Sequence, residues 1–362
     1  MPYEAEPAFS HDAPEQTGVL LINLGTPEAP QPAAVRRYLR EFLADPRVVE
    51  IPRALWAPIL YGVVLNTRPR RSAKRYAMIW RPEGSPLAIY SRRQSTLLRG
   101  FLGERVGPGL VVDLAMRYGE PSIAAALHRL QAARCNRLLI VPMYPQYAAS
   151  TTASAMDAVF RVMGRTRNVP EIRFIKHFHD DAGYIGALAG RVLAHWETHG
   201  RPDKLVVSFH GLPRYTLERG DPYHCECHKT ARLLAERLGL ADSAWTVAFQ
   251  SRFGRSRWLE PYTAAVLRDL ARSGTRRVDV ITPGFVADCL ETLEELGMEG
   301  RSTFLAAGGR EFYNIPCLND DPAWIEALAG IVVRGMQGWP PAADPQTLTA
   351  RRDRAKTLGA SQ

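Results

Sequence analysis

Short apolar runs punctuate the chain at 18–23 (GVLLIN), 111–116 (VVDLAM), 137–141 (RLLIV) and 172–176 (IRFIK). They recur at 205–209 (LVVSF), 245–249 (WTVAF), 277–281 (RVDVI) and 303–306 (TFLA). Their length and residue types predict strands. Helical patterns lie between many of them, at 121–133, 151–163, 181–198, 224–238, 260–273 and 322–336. Alternation of this kind predicts parallel sheet covered by helices, an α/β fold. Residues 1–17 and 338–362 are polar, contain proline and lack periodicity, so both ends are expected to be disordered.

The two halves of the pattern resemble each other. "NLGTP" (23–27) faces "FHGLP" (209–213), and "RYG" (117–119) faces "RFG" (252–254). "LLIVPMY" (138–144) faces "VDVITPGF" (278–285), and "ALAG" occurs at 187–190 and 327–330. Such echoes in one order indicate an internal repeat. Leu24 to Arg117 spans 93 residues and His210 to Arg252 spans 42, so the first half carries 93 − 42 = 51 extra residues. Ligands of open α/β sheets bind at the carboxyl ends of strands, and an insert leaving the first strand is placed to roof that cleft. The expected organisation is a first domain at 18–178 with a lip at about 45–95, a second at 179–320, and a helix at 321–337 packing back on the body.

Composition changes this picture only locally. Hydrophobic residues at 46% and charged residues at 23% fit a soluble globular chain, and the length suits two domains. The formal charge is +9, with six bases and no acid at 66–81. A basic run attracts phosphates or carboxylates. Nucleic acid is its generic partner, but this run is short and adjoins an apolar stretch, so none is expected. That stretch, 48–66 (VVEIPRALWAPILYGVVLN), holds two prolines and two charges. It reads as a segment lying on a membrane surface or covering a greasy ligand, not as a span. The insert's mixture of apolar and basic residues suits a flat, greasy ligand with acidic edges. Five cysteines without a secretory signal point to reduced thiols and a cytoplasmic address.

Several residues could carry chemistry. His210 follows a strand directly and could exchange protons near neutral pH, or merely hold its loop. In "PGFVADCLETLEELG" (283–297), Asp288, Glu291 and Glu295 share one face at helical spacing. They form either a ladder for cations or, for the first two, a capping box that leaves Glu295 unexplained. Cys225 and Cys227 lie on opposite sides of a helix that begins before them and cannot easily clamp one metal; His224 and His228 at i, i+4 could, but further ligands are missing nearby, and an iron–sulfur cluster usually needs four thiolates. Tyr144, Tyr147 and Trp258 follow strand ends, as core or as ligand platform.

Seven motifs in order identify a family. "LLINLGTPEAP", "EGSPL" (83–87), "YPQYAASTTAS", "SFHGLP", "RGDPY" (219–223), "QSRFGRSRWLEP" and "PGFVADCLETLEEL" resemble those of ferrochelatases across about residues 18–320. The resemblance implies two Rossmann-like, chelatase-type domains, each a four-stranded parallel sheet flanked by helices, related by a pseudo-twofold repeat. It implies insertion of Fe²⁺ into protoporphyrin IX, the last step of haem biosynthesis, with porphyrin and iron as partners and substrates. His210 then stands beside the porphyrin, with Glu291 opposite and Asp288 and Glu295 leading to it. These four would handle metal, with His210 and Glu291 catalytic. Leu24, Ser85, Tyr144, Trp258 and Phe285 would line the pocket, and Arg68 and Arg70 would hold propionates. The insert would be the lip that closes over the porphyrin and touches the inner face of the plasma membrane.

Departures narrow the match. Leu24 stands where some members have Met or Tyr, and Cys289 where His is common. Ala149 stands where cluster-bearing animal members have cysteine, so no resident cofactor or iron–sulfur cluster is expected. The competing readings are a cobalt or nickel chelatase for a related tetrapyrrole and a non-catalytic haem carrier. A carrier needs a pocket but no acid ladder.

Overall fold

The structure, a computed structural model, describes residues 3–7, 11–106, 109–252, 254, 256–340 and 345–360. Phe253 and Arg255 of the QSRFGRSRWLEP motif, and parts of both termini, lie outside the described residues.

The first half runs β1 (Gln16–Gly25), α1 (Pro32–Leu43), α2 (Arg53–Ile59), α3 (Leu65–Ile79), α4 (Pro86–Val106), β2 (Leu110–Tyr118), α5 (Ile123–Ala132), β3 (Cys135–Pro142), α6 (Ser154–Met163) and β4 (Glu171–Phe174). The second runs α7 (Ala182–His199), β5 (Lys204–His210), α8 (Arg214–Glu218), α9 (Tyr223–Leu238), β6 (Trp245–Gln250), α10 (Thr263–Arg272), β7 (Arg277–Ile281), α11 (Arg301–Ala306), β8 (Glu311–Asn314) and α12 (Pro322–Gly335). A last helix, α13 (Pro345–Thr357), follows. Three segments are π-helical: Leu60–Val64, Ala149–Ala153 and Glu291–Gly300.

The strands form two parallel four-stranded sheets of identical order, β2-β1-β3-β4 and β6-β5-β7-β8. That shared order is the repeat in three dimensions. Each central strand is buried on both faces, as parallel sheets require. In β1, Val19 and Leu21 enter a core shared with the second half, while Leu20 and Ile22 enter a core under α5 and α6. All four are fully buried, each contributing about 1.5–3 kcal/mol. The two halves also use glycine alike. A Cβ at Gly25 would lie 1.8 Å from the Tyr118 carbonyl oxygen, and one at Gly211 would lie 2.6 Å from that of Gln250. The strand before each glycine can therefore end hard against its neighbour, which accounts for "NLGTP" and "FHGLP".

Two expectations are corrected. The run 303–306 is helical, within α11, and the eighth strand is β8. Phe304 is fully buried, and its ring lies tilted against that of Phe312 of β8, centroids 6.2 Å apart, from the helical layer. The ends are not featureless. Glu4 pairs with Arg165 and His128, and Arg351 of α13 donates to the carbonyl oxygens of His11 and Ala13. The segment "TLTARRDRAKT" lacks apolar period but is rich in helix-forming residues, and these contacts fix it. The other helix expected near the end, α12, packs against α7, α4 and β3, returning to the first half.

Candidate active site

His210 is the last residue of β5, and its ring is half-buried. Nδ1 lies 2.6 Å from the Gly211 carbonyl oxygen. A carbonyl only accepts, so Nδ1 carries the proton in the neutral ring and Nε2 keeps its lone pair. The backbone is held as well: the Tyr223 hydroxyl donates to the His210 carbonyl at 2.9 Å. Trp258 lies beside the imidazole, ring centroids 6.5 Å apart, and its indole N–H is buried without a partner among the described residues.

The second wall comes from the turn after β7. Phe285, Ala287 and Cys289 pack with Leu24, Leu87 and Tyr90 into one apolar cluster, so two predicted porphyrin positions, Leu24 and Phe285, meet across the halves. The chain then enters the π-helical segment Glu291–Gly300. Its wider turn keeps Glu291 and Glu295 nearly above one another and swings Glu294 aside. π-Helical turns recur at functional sites.

Gln250 and Ser251 join the histidine to these carboxylates. Gln250 pairs with His210 in the β5–β6 ladder, and its side-chain amide donates to the Glu291 carbonyl at 3.2 Å. Ser251 has φ of +65°, rare for a residue with a side chain, and its hydroxyl donates to Glu295 Oε2 at 2.7 Å. Burial pushes the Glu295 carboxyl above its ordinary pKa and the charge of Glu291 adds to this. The Ser251 bond and the nearness of His210 oppose it. Tyr38 and Tyr76 also face Glu291; burial chiefly raises both phenols, followed for Tyr76 by the charge of Glu291 and for Tyr38 by Tyr76 and then Glu291. Sequence reasoning missed these two tyrosines, which the insert brings in on α1 and α3. Gln250 and Ser251 open a quoted motif but carried no chemical signal by themselves.

Asp288 requires a correction. It lies before the helix, is buried, and accepts from Thr292 Oγ1 at 2.9 Å and Asn319 Nδ2 at 2.6 Å. Its oxygens are consumed in shaping the turn, and the structure does not bring it to Glu291 and Glu295. The acid sequence reasoning overlooked is Glu294. It is buried and takes a 2.6 Å hydrogen bond from Arg75 Nε of α3.

A model of the ferrochelatase family matches residues 16–336. The chain belongs to the ferrochelatase family. It is an enzyme that inserts metal into porphyrin. The ferrochelatase of Azoarcus sp. (strain BH72) is 61% identical over 359 residues, covering 99% of this chain and 98% of that one. The ferrochelatase of Chromobacterium violaceum is 59% identical over 337 residues, covering 93% of each. Among solved structures, SirB from Bacillus subtilis with Fe³⁺ matches 89% of this chain and 96% of its own, with TM-score 0.54 and 14% identity, a likeness of fold.

The remaining residues expected at the porphyrin lie on separate elements. Ser85 is buried and its hydroxyl accepts from the Ala88 N–H at 3.2 Å, so it caps α4. Tyr144 is buried, its hydroxyl has no partner among the described residues, and burial raises its pKa. Arg68 is half-buried on α3, and burial followed by the charge of Arg71 lowers its pKa; Arg70 is exposed. Arg68 precedes Arg75 by two helical turns on the same stripe.

Proposed function

We propose that this ferrochelatase makes protohaem by inserting Fe²⁺ into protoporphyrin IX between His210 on one face and Glu291 with Glu295 on the other. The observation that supports the reading is the Gln250–Ser251 pair, which links the strand of His210 to the Glu291 main chain and to the Glu295 carboxylate. The reaction releases two protons as iron arrives. The free Nε2 of His210 accepts one pyrrole proton. Glu295, with its raised carboxyl pKa, is suited to accept the other, while Glu291 meets the cation. Trp258, Phe285 and Leu24 supply walls that hold the macrocycle bent, so nitrogen lone pairs turn out of plane. Arg68 and Arg70 hold the propionates, and Tyr144 and Ser85 shape the pocket edge. Asp288 positions the turn that presents Glu291.

The insert is read as a membrane-touching lip. No side chain of α2 is buried, and Leu55, Tyr61 and Val63 are 65%, 51% and 58% exposed. An apolar face flanked by bases suits an anionic bilayer surface. Among the described residues no helix is long and apolar enough to cross a membrane. In this reading the protein is cytoplasmic and docks peripherally on the inner face of the plasma membrane. The reading includes no resident iron–sulfur cluster, which usually needs four thiolates. A carrier would have no use for the carboxylate pair.

The test is anaerobic mixing of the protein with protoporphyrin IX and Fe²⁺, followed by the visible spectrum. Wild type should convert porphyrin to haem, and His210→Ala should lose about a hundredfold or more in rate with its fold intact. Normal turnover in the variant would remove His210 from the mechanism.

A further inference from the structure

A second cluster of ligating groups lies where the two halves meet. His177 and His179 stand in the segment between β4 and α7, and Glu226 in the first turn of α9. Their ligating atoms all lie within 4.8 Å of one another. Glu226 offers one oxygen to each ring: Oε1 lies 2.7 Å from His177 Nδ1 and Oε2 lies 3.4 Å from His179 Nδ1.

Hydrogen bonding leaves this cluster incomplete. His179 is buried, and among the described residues its Nδ1 has no hydrogen-bond partner although it lies 3.4 Å from Glu226 Oε2. A buried imidazole nitrogen left in that condition is destabilising unless something occupies it. The groups are also held in place from behind. The Tyr147 N–H donates to Glu226 Oε2 at 2.7 Å, and Thr230 Oγ1 donates to the His179 carbonyl at 2.9 Å. Gln146 donates to Thr230 Oγ1 at 2.9 Å in turn. Outer contacts of this kind orient metal ligands.

We propose that His177, His179 and Glu226 form a divalent transition-metal site separate from the porphyrin cleft, joining the first half to α9 of the second. Two imidazoles and one carboxylate suit zinc, cobalt, nickel or ferrous iron rather than magnesium or calcium. Ligands of a tetrahedral ion at about 2.0 Å lie roughly 3.3 Å apart, and the two nitrogen–oxygen distances bracket that spacing. The His177 side chain is 39% exposed, giving the ion an entry path and leaving a fourth position for water. An ion here links loop to helix across the halves and stabilises the folded form by mass action.

The experiment uses Co²⁺ on the full chain carrying His210→Ala and Glu291→Gln, which removes the cleft as a competing site. One equivalent of Co²⁺ should bind, with visible d–d bands and a raised thermal midpoint, and Zn²⁺ should displace it. Adding His177→Ala should weaken binding by about tenfold or more, and adding His179→Gln as well should abolish it. In the otherwise wild-type chain, His177→Ala should leave porphyrin metallation unchanged. His177 is at the rim, so its variant decides the matter even if the buried His179 change impairs folding. Absence of Co²⁺ binding in the cleft-disabled chain, or binding indifferent to His177→Ala, would overturn the proposal.

Discussion

Arg75 on α3 donates from Nε to Glu294 Oε2 at 2.6 Å, and this pair ties the insert of the first half to the π-helical segment that carries Glu291. Around it Val35, Ala73, Tyr76 and Ile79 pack with Leu290 and Leu293. The insert is therefore fastened to this segment by Arg75, which pairs with Glu294 and, at 3.5 Å, with Glu299, and by a small apolar cluster. Glu294 is almost wholly buried, while Arg75 keeps about a third of its side chain in water. Removing the arginine strands a buried carboxylate. Arg75→Ala should cost roughly 3 kcal/mol, and adding Glu294→Gln should restore much of it. Urea midpoints for the single and double variants check this. Equal midpoints for wild type and Arg75→Ala would show that the pair does not hold the lip.

Glu295 gives a pH signature. Its folded-state pKa is raised, chiefly by burial. The folded state therefore binds that proton more tightly than the unfolded state does. Stability is lost as pH rises from the ordinary carboxylate range through the raised value, and the loss is complete above it. Glu295→Gln cannot titrate, so its stability relative to wild type should improve as pH rises from the ordinary carboxylate range upward. Urea midpoints measured across that range check the slope. A constant difference would mean that Glu295 ionises as an ordinary carboxyl.

The lip separates surface from core residue by residue. Leu55→Ser, Ile59→Ser and Val63→Ser remove exposed apolar groups. Each should weaken association with anionic vesicles about tenfold, from the loss of roughly 1.5 kcal/mol of burial in the bilayer interface, and leave stability unchanged. Trp56 differs: its indole donates to the Leu43 carbonyl at 2.7 Å and packs beside Leu43, Leu60 and Leu65. Trp56→Ser should cost about 2 kcal/mol or more of stability. Vesicle co-sedimentation and thermal unfolding, run on all four, distinguish the two classes.

Much of this was legible in the sequence because buried parallel strands announce themselves. β1, β3 and β5 read as unbroken apolar runs, and the glycine after each first strand marks the turn toward the cleft. β8 was not legible: it is a four-residue edge strand with one buried side chain, so its pattern is weak, and the apolar run before it is helical. The carboxylates show the same limit at the site. Spacing placed Asp288, Glu291 and Glu295 on one α-helical face, but the chain is not helical at Asp288 and is π-helical from Glu291. That change of phase keeps Glu291 with Glu295, withdraws Asp288, and turns Glu294 toward Arg75. Tyr38, Tyr76 and Arg75 reach the site only through packing of the insert, which no local pattern records.

The central claim is that the Glu291 carboxylate serves metal insertion, and Glu291→Gln tests it most directly. The change keeps size and hydrogen bonding and removes only the charge. Porphyrin affinity by fluorescence quenching and insertion rate should be measured on one preparation. Affinity should largely survive, because the Leu24, Trp258 and Phe285 walls remain, while turnover falls by about a hundredfold or more. Intact insertion in Glu291→Gln would contradict the account, whatever else the cleft proves able to bind.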